Sequence, residues 1–185
     1  MKKFYVNERL FRISDRYDIL DETGNVAYYG VKKLFKLFEE FSIYDKGDNF
    51  VCKIKKQFTL LLPCYNLIIN DRVVATVQKK LSFLVSRYEI SSNYGNYTID
   101  GDIFSWNFSI YQGSKLVCTV MKRFNIFKDK YEIQVADFDE VIAIGLVIIL
   151  DSIHHKGKWW TSNIYCRISQ FVVKYLNRGK QLWVY

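Results

Sequence analysis

Along the first 135 residues, apolar and polar side chains alternate in short runs, and no apolar face with a helical period persists beyond a few turns. The runs are interrupted at Thr23-Gly24-Asn25, Lys46-Gly47-Asp48, Asn70-Asp71-Arg72 and Gln112-Gly113-Ser114, each flanked by β-branched and aromatic residues. Asp, Asn and Gly tolerate the left-handed backbone of tight turns, so the pattern predicts successive β-hairpins joined as an antiparallel meander. A repeat supports this. Phe41-Ser42-Ile43-Tyr44 recurs as Phe108-Ser109-Ile110-Tyr111, and both lead through a glycine turn into Val-Cys. The strands beginning at Val51, Val74 and Val117 share the pattern V-[AC]-x-[VI]-x-K, ending at Lys56, Lys79 and Lys122. Their starts lie 23 and 43 residues apart. The wider gap leaves room for one more hairpin, from Tyr97-Thr98-Ile99 through a turn at Asp100-Gly101-Asp102 to Ile103-Phe104.

The pattern changes at residue 137. Asp137, Asp139 and Glu140 precede Val-Ile-Ala-Ile-Gly-Leu-Val-Ile-Ile-Leu, and Asp151 to Lys156 follow, with two histidines and a lysine. Acids at the start and bases at the end match the helix macrodipole, and the segment is long for a strand. It reads as a helix over about 137–155. A helix apolar on every side needs protein on every side, so hairpins plus this helix predict a barrel wrapped around it.

Composition narrows the class. A chain of 185 residues that is 50% hydrophobic and 25% charged is long and apolar enough for one folded domain. Its longest uncharged apolar run, Val141 to Leu150, is short for a membrane-spanning helix, which needs roughly 17–25 residues. The N-terminal residues do not read as a secretory signal, and Cys52, Cys64, Cys118 and Cys166 show no metal-ligand spacing. These features predict a cytoplasmic location and reduced, structural thiols; Cys52 and Cys118 share a repeat position with Ala75, where small size is what matters. The net charge of +8 is uneven: residues 156–185 carry six bases and no acid.

The hairpin order, the Asp18-Ile19-Leu20-Asp21-x-x-Gly24 opening, the repeated lysine pairs and the segment Asp139 to His155 together resemble the LURP-one-related (YxjI-like) family. That family is grouped with the tubby-like proteins and the phospholipid scramblases. The resemblance covers roughly residues 3–155. It implies a mainly β (α+β) fold, a closed antiparallel β-barrel of about a dozen strands threaded by the hydrophobic C-terminal helix. It also implies no enzymatic activity, while its relatives suggest phosphoinositide binding and lipid redistribution. No lipid-binding residue of those relatives maps onto this chain, and no counterpart of the scramblase calcium segment stands beside the helix. The expected organisation is a barrel over 1–156 and a basic extension over 157–185, which the resemblance does not cover.

Two constellations are candidates for function. Lys56, Lys79 and Lys122 alternate in phase with the inward positions of their strands, and equivalent positions of successive hairpins fall on one rim. They form either an anionic headgroup site or ordinary ion pairs with Asp137, Asp139 and Glu140. In the tail, Ile164, Ile168, Phe171, Val172, Tyr175 and Leu176 follow a helical stripe, with Arg167, Lys174 and Arg178 off it and Trp159 and Trp160 ahead of it. This amphipathic helix suits an anionic phospholipid surface at the membrane periphery, with Lys174 and Arg178 as headgroup contacts, or it docks on the barrel, a homodimer mate or a partner protein. Nucleic acid is not expected, because no recognised motif accompanies the modest positive charge. His154 and His155 point about 100° apart on a helix and make a poor metal pair; no cofactor or metal is expected. Ser152, His154 and Asp151 are too close in sequence to converge, and no nucleophile elbow or phosphate loop occurs, so no catalytic residue is assigned. The reading is a non-enzymatic binding or scaffold module, and the alternative is a structural or protein-interaction module. A lipocalin-like carrier would need the lumen that the helix occupies.

Overall fold

The computed structural model describes residues 1–7, 16–34, 39–59, 62–80, 87–123 and 130–154. Twelve strands form a closed barrel in which each pairs with the next and β1 pairs with β12. They are β1 (Lys2–Asn7), β2 (Arg16–Leu20), β3 (Val26–Leu34), β4 (Glu39–Asp45), β5 (Phe50–Lys56) and β6 (Cys64–Ile69). The second half comprises β7 (Arg72–Lys80), β8 (Arg87–Ser92), β9 (Tyr97–Asp102), β10 (Asn107–Gln112), β11 (Lys115–Arg123) and β12 (Lys130–Val135). A helix, α1, runs from residue 140 through 154, the last described position.

The turns behave as their composition demands. Asp21 and Asp45 each fold a side-chain oxygen back onto backbone amides two and four residues on, at 2.8–3.0 Å. The two-residue turn at Asn70 and Asp71 has both φ angles positive, as a tight hairpin with the sheet's own twist requires. The repeat also has a shared irregularity. A bulge follows Ile43 in one copy of Phe-Ser-Ile-Tyr and Ile110 in the other, and another follows Leu67. In each case the partner strand's extra residue is the leading valine of the motif: Val51, Val74 or Val117. Bulges bend a sheet and raise its twist, which closure of a barrel needs.

One expected turn lies elsewhere. Asp100, Gly101 and Asp102 belong to β9, and the chain reverses at residues 103–106. Gly101 serves close packing instead. A Cβ there would stand 2.5 Å from the Asn107 carbonyl oxygen and 2.9 Å from the Phe108 Cα.

The helix fills the lumen. Eight strands leave room only for side chains, whereas twelve enclose a space that a helix about 10–12 Å wide can occupy. Every residue from 142 to 154 is buried. Asp139 caps the first turn by accepting from the amides of Val141 and Ile142 at 2.9 and 3.1 Å, so the helix starts at 140 and Asp137 lies outside it. At Gly145 the helix lies close against β6, for a Cβ there would stand 2.7 Å from a Leu67 methyl.

Candidate functional site: a lysine and tyrosine mouth

Strand parity decides what meets what. In an antiparallel meander all odd-numbered strands run the same way, so β3, β5, β7 and β11 end at the same mouth. Lys56, Lys79 and Lys122 therefore gather there, each half-buried and in phase with the inward residues Ile54, Val77 and Val120. The helix follows β12, an even strand that ends at the opposite mouth. Asp137, Asp139 and Glu140 consequently lie a helix length away from the three lysines, about 20 Å for fifteen residues. Pairing between these groups, open from sequence, is ruled out by the topology. Glu140 instead takes Lys2 and the Tyr28 hydroxyl, both at 2.6 Å. Burial alone would raise its carboxyl; those two donors outweigh that and hold it below the usual range.

The lysines do not stand alone. Lys56 pairs across the sheet with Tyr65, Lys79 with Tyr88 and Lys122 with Tyr131, and in every case the tyrosine lies nine residues later. A fourth unit is present in β3 and β4, where Lys32 pairs with Phe41, again nine residues on. Its strand carries the same bulge, at Ala27, but has Tyr28 and Gly30 where the others have a small residue and a β-branched one. That substitution hides it from a pattern search. Gly30 is needed because the Tyr17 ring of β2 lies over it; a Cβ there would stand 2.1 Å from the ring.

Among the described residues, the buried carboxylates Glu39 and Asp151 also lie at this mouth. Glu39 receives the Lys32 ammonium at 2.9 Å and the Tyr65 hydroxyl at 2.6 Å. The Lys32 ammonium is also 5.3 Å from the Phe41 ring centre. Burial, reinforced by Glu39, pushes the Tyr65 phenol up and keeps it a hydrogen-bond donor. The Tyr17 phenol is raised for the same first reason, with Asp151 and Glu39 among the charges that add to it. Trp106 closes one side, stacked on Tyr131 at 4.1 Å, and its carbonyl accepts from the Lys122 amide at 2.9 Å. Among the described residues the result is a polar layer of lysines, carboxylates and phenols on an apolar barrel, toward the negative end of the helix dipole.

The remaining sequence candidates, Trp159, Trp160, Ile164, Ile168, Phe171, Val172, Lys174, Tyr175, Leu176 and Arg178, lie outside the described residues, as does His155. Among the described residues, no group of His, Cys, Asp and Glu could hold a metal ion. No helix there is long and apolar enough to cross a membrane. A cleft of about 650 Å³ at the opposite mouth is lined by acids and bases alike, among them Glu22, Asp45, Lys2 and Lys46, and has no dominant sign.

Comparison with known proteins agrees with this architecture. The chain is 25% identical over 154 residues to the uncharacterised protein YxjI of Bacillus subtilis (strain 168), an alignment covering 83% of this chain and 94% of that one. Its fold is similar to that of an Arabidopsis thaliana protein solved by X-ray crystallography, with a TM-score of 0.58 at 14% identity over 83% of this chain and 91% of that one. Residues 2–151, which include all twelve strands and most of the helix, match the LURP-one-related family model, and the chain belongs to that family.

Proposed function

We propose that this protein is a non-enzymatic binding module that presents its lysine and tyrosine mouth to anionic phospholipid headgroups at the cytoplasmic periphery of a membrane. The observation that carries this reading is the fourfold recurrence of an inward lysine on one rim, each opposite an aromatic residue. Among the described residues, four lysines share this partly desolvated ring with Glu39 and Asp151, and in such a setting an anion is held more strongly than on open surface. The filled lumen argues against a carrier, because the space for an enclosed ligand is taken by α1. The six bases of residues 156–185 would add positive charge to the same encounter.

Flotation with neutral and with anionic liposomes, at low and near-physiological salt, tests the reading. The full chain should float with anionic vesicles at low salt and lose most binding at higher salt. Lys56→Gln, Lys79→Gln and Lys122→Gln combined should abolish flotation, and Lys174→Glu with Arg178→Glu should weaken it. If the full chain stays with the soluble fraction under every condition, the lipid reading falls and a protein-docking module takes its place.

A further inference from the structure

Among the described residues, two phenylalanines stand exposed at the lysine mouth: Phe58, with 69% of its surface open, and Phe104, with 52%. A single exposed apolar residue is ordinary on a folded protein. What distinguishes these two is where the backbone holds them. Phe58 belongs to the connection from β5 to β6 and Phe104 to the turn from β9 to β10, and both leave odd strands at the mouth where Lys56, Lys79 and Lys122 gather.

Backbone hydrogen bonds tie each connection to a lysine. In the first, the Gln57 amide closes on the Cys64 carbonyl at 2.8 Å, the Thr59 hydroxyl donates to the Leu62 carbonyl at 2.5 Å, and the Pro63 carbonyl accepts from the Lys79 amide at 3.1 Å. In the second, the Trp106 amide closes on the Ile103 carbonyl at 3.3 Å, and the Trp106 carbonyl accepts from the Lys122 amide at 2.9 Å. Neither 57–63 nor 103–106 contains a charged residue. Asp102, the acid beside the second turn, is folded onto the Phe104 amide at 2.8 Å. Phe50, Val73 and Tyr94 are exposed as well, but they belong to the opposite mouth, whose connections mix Glu22, Asp48 and Asp71 with Lys46 and Arg72. The two phenylalanine turns are separated by four strand spacings, about 20 Å along the wall at roughly 4.8 Å per strand, with Lys79 between them.

We propose that Phe58 and Phe104 are the apolar anchors of this mouth, entering the acyl boundary of an anionic bilayer while the lysines hold its headgroups. The inference rests on the lipid reading above and goes beyond it. Charge alone gives an association that salt dissolves, whereas apolar area buried below the headgroups adds a contribution that salt does not screen. Two such points, set apart on one rim, seat the mouth of the barrel on the surface instead of its wall.

The test combines flotation of the full chain with surface-pressure measurement at low salt, on a monolayer of equal parts phosphatidylcholine and phosphatidylglycerol set near the pressure of a bilayer leaflet. The unaltered chain should raise the pressure, and Phe58→Ser with Phe104→Ser should cut that rise by about half or more. Phe58→Trp with Phe104→Trp keeps both positions aromatic and should penetrate at least as well as the unaltered chain, which separates loss of the anchors from loss of the fold. An unaltered chain that floats with anionic vesicles yet leaves the pressure unchanged would overturn the anchors and spare the lipid reading. The same holds for a serine variant that penetrates like the unaltered chain, or a tryptophan variant that penetrates no better than the serine one. If the full chain floats under no condition, both readings fall.

Discussion

Gly145 is the sharpest available probe of the threaded barrel. In Gly145→Ala the new methyl would stand 2.7 and 2.9 Å from the two Leu67 methyls, and Leu67 is fully buried on β6. Overpacking of this kind costs about 1–3 kcal/mol. Against it stands the helix preference for alanine over glycine, about 1 kcal/mol. The net expectation is a loss of roughly 1 kcal/mol, or about 2–4 °C in Tm for a domain of this size. Leu67→Ala alone should cost about 2–5 kcal/mol by leaving a cavity. In the double variant the alanine methyl has that cavity to enter, so Gly145→Ala should become stabilising there. The coupling between the sites should be about 1–3 kcal/mol. Urea denaturation of the four proteins measures it. Should Gly145→Ala raise stability equally in both backgrounds, the helix does not pack on β6. The filled lumen would then be wrong, and with it the argument that ligands are taken at the mouth.

Three further outcomes follow from named contacts. Glu39→Ala strands the partly buried Lys32 ammonium and should cost about 3–5 kcal/mol, whereas Tyr65→Phe, which removes one donor to Glu39, should cost about 1–3 kcal/mol; equal effects in urea melts would contradict the arrangement. Glu132 is held below the usual carboxylate range by Arg123, and Glu140 is held low by Lys2 and Tyr28 against the opposing effect of burial. Because both folded values lie below the unfolded ones, their stabilisation is complete above about pH 4.5 and lost as pH falls through the folded values; urea midpoints from pH 6 to 3 should show a shallower decline in Glu132→Gln. Burial pushes the Cys52 and Cys118 thiols up to about 12, so neither should react with iodoacetamide at pH 8 until the protein is unfolded, as peptide mapping would show.

Much of the fold is legible in the chain because hairpin chemistry is local. The positive-φ turn at Asn70 and Asp71, the alternation that turns Cys52, Val77 and Val120 inward, and the Asp139 cap each depend on a few adjacent residues. The candidate mouth was visible only in part. Lys56, Lys79 and Lys122 stand out through a contiguous motif, but Tyr65, Tyr88 and Tyr131 belong to the next strand. Their constant separation of nine residues has meaning only once the register pairs them. Lys32 escaped for a different reason. Its strand accommodates the Tyr17 ring, so glycine replaces the β-branched residue by which the repeat is recognised. Gly101, whose type suggests a turn, answers to a neighbouring backbone instead.

By itself, the sequence determined that this protein is a hairpin meander closing on an all-apolar helix, because apolar periodicity and turn residues act over a handful of positions. Only the tertiary structure decided which charges share a mouth. The helix follows the twelfth strand, and an even number of strands returns the chain to the mouth where it began. Glu140 at the helix start therefore meets Lys2, while Asp151 and His154, more than two turns on, lie toward the lysine mouth. That outcome depends on counting and closing every strand, a global property that no local pattern carries.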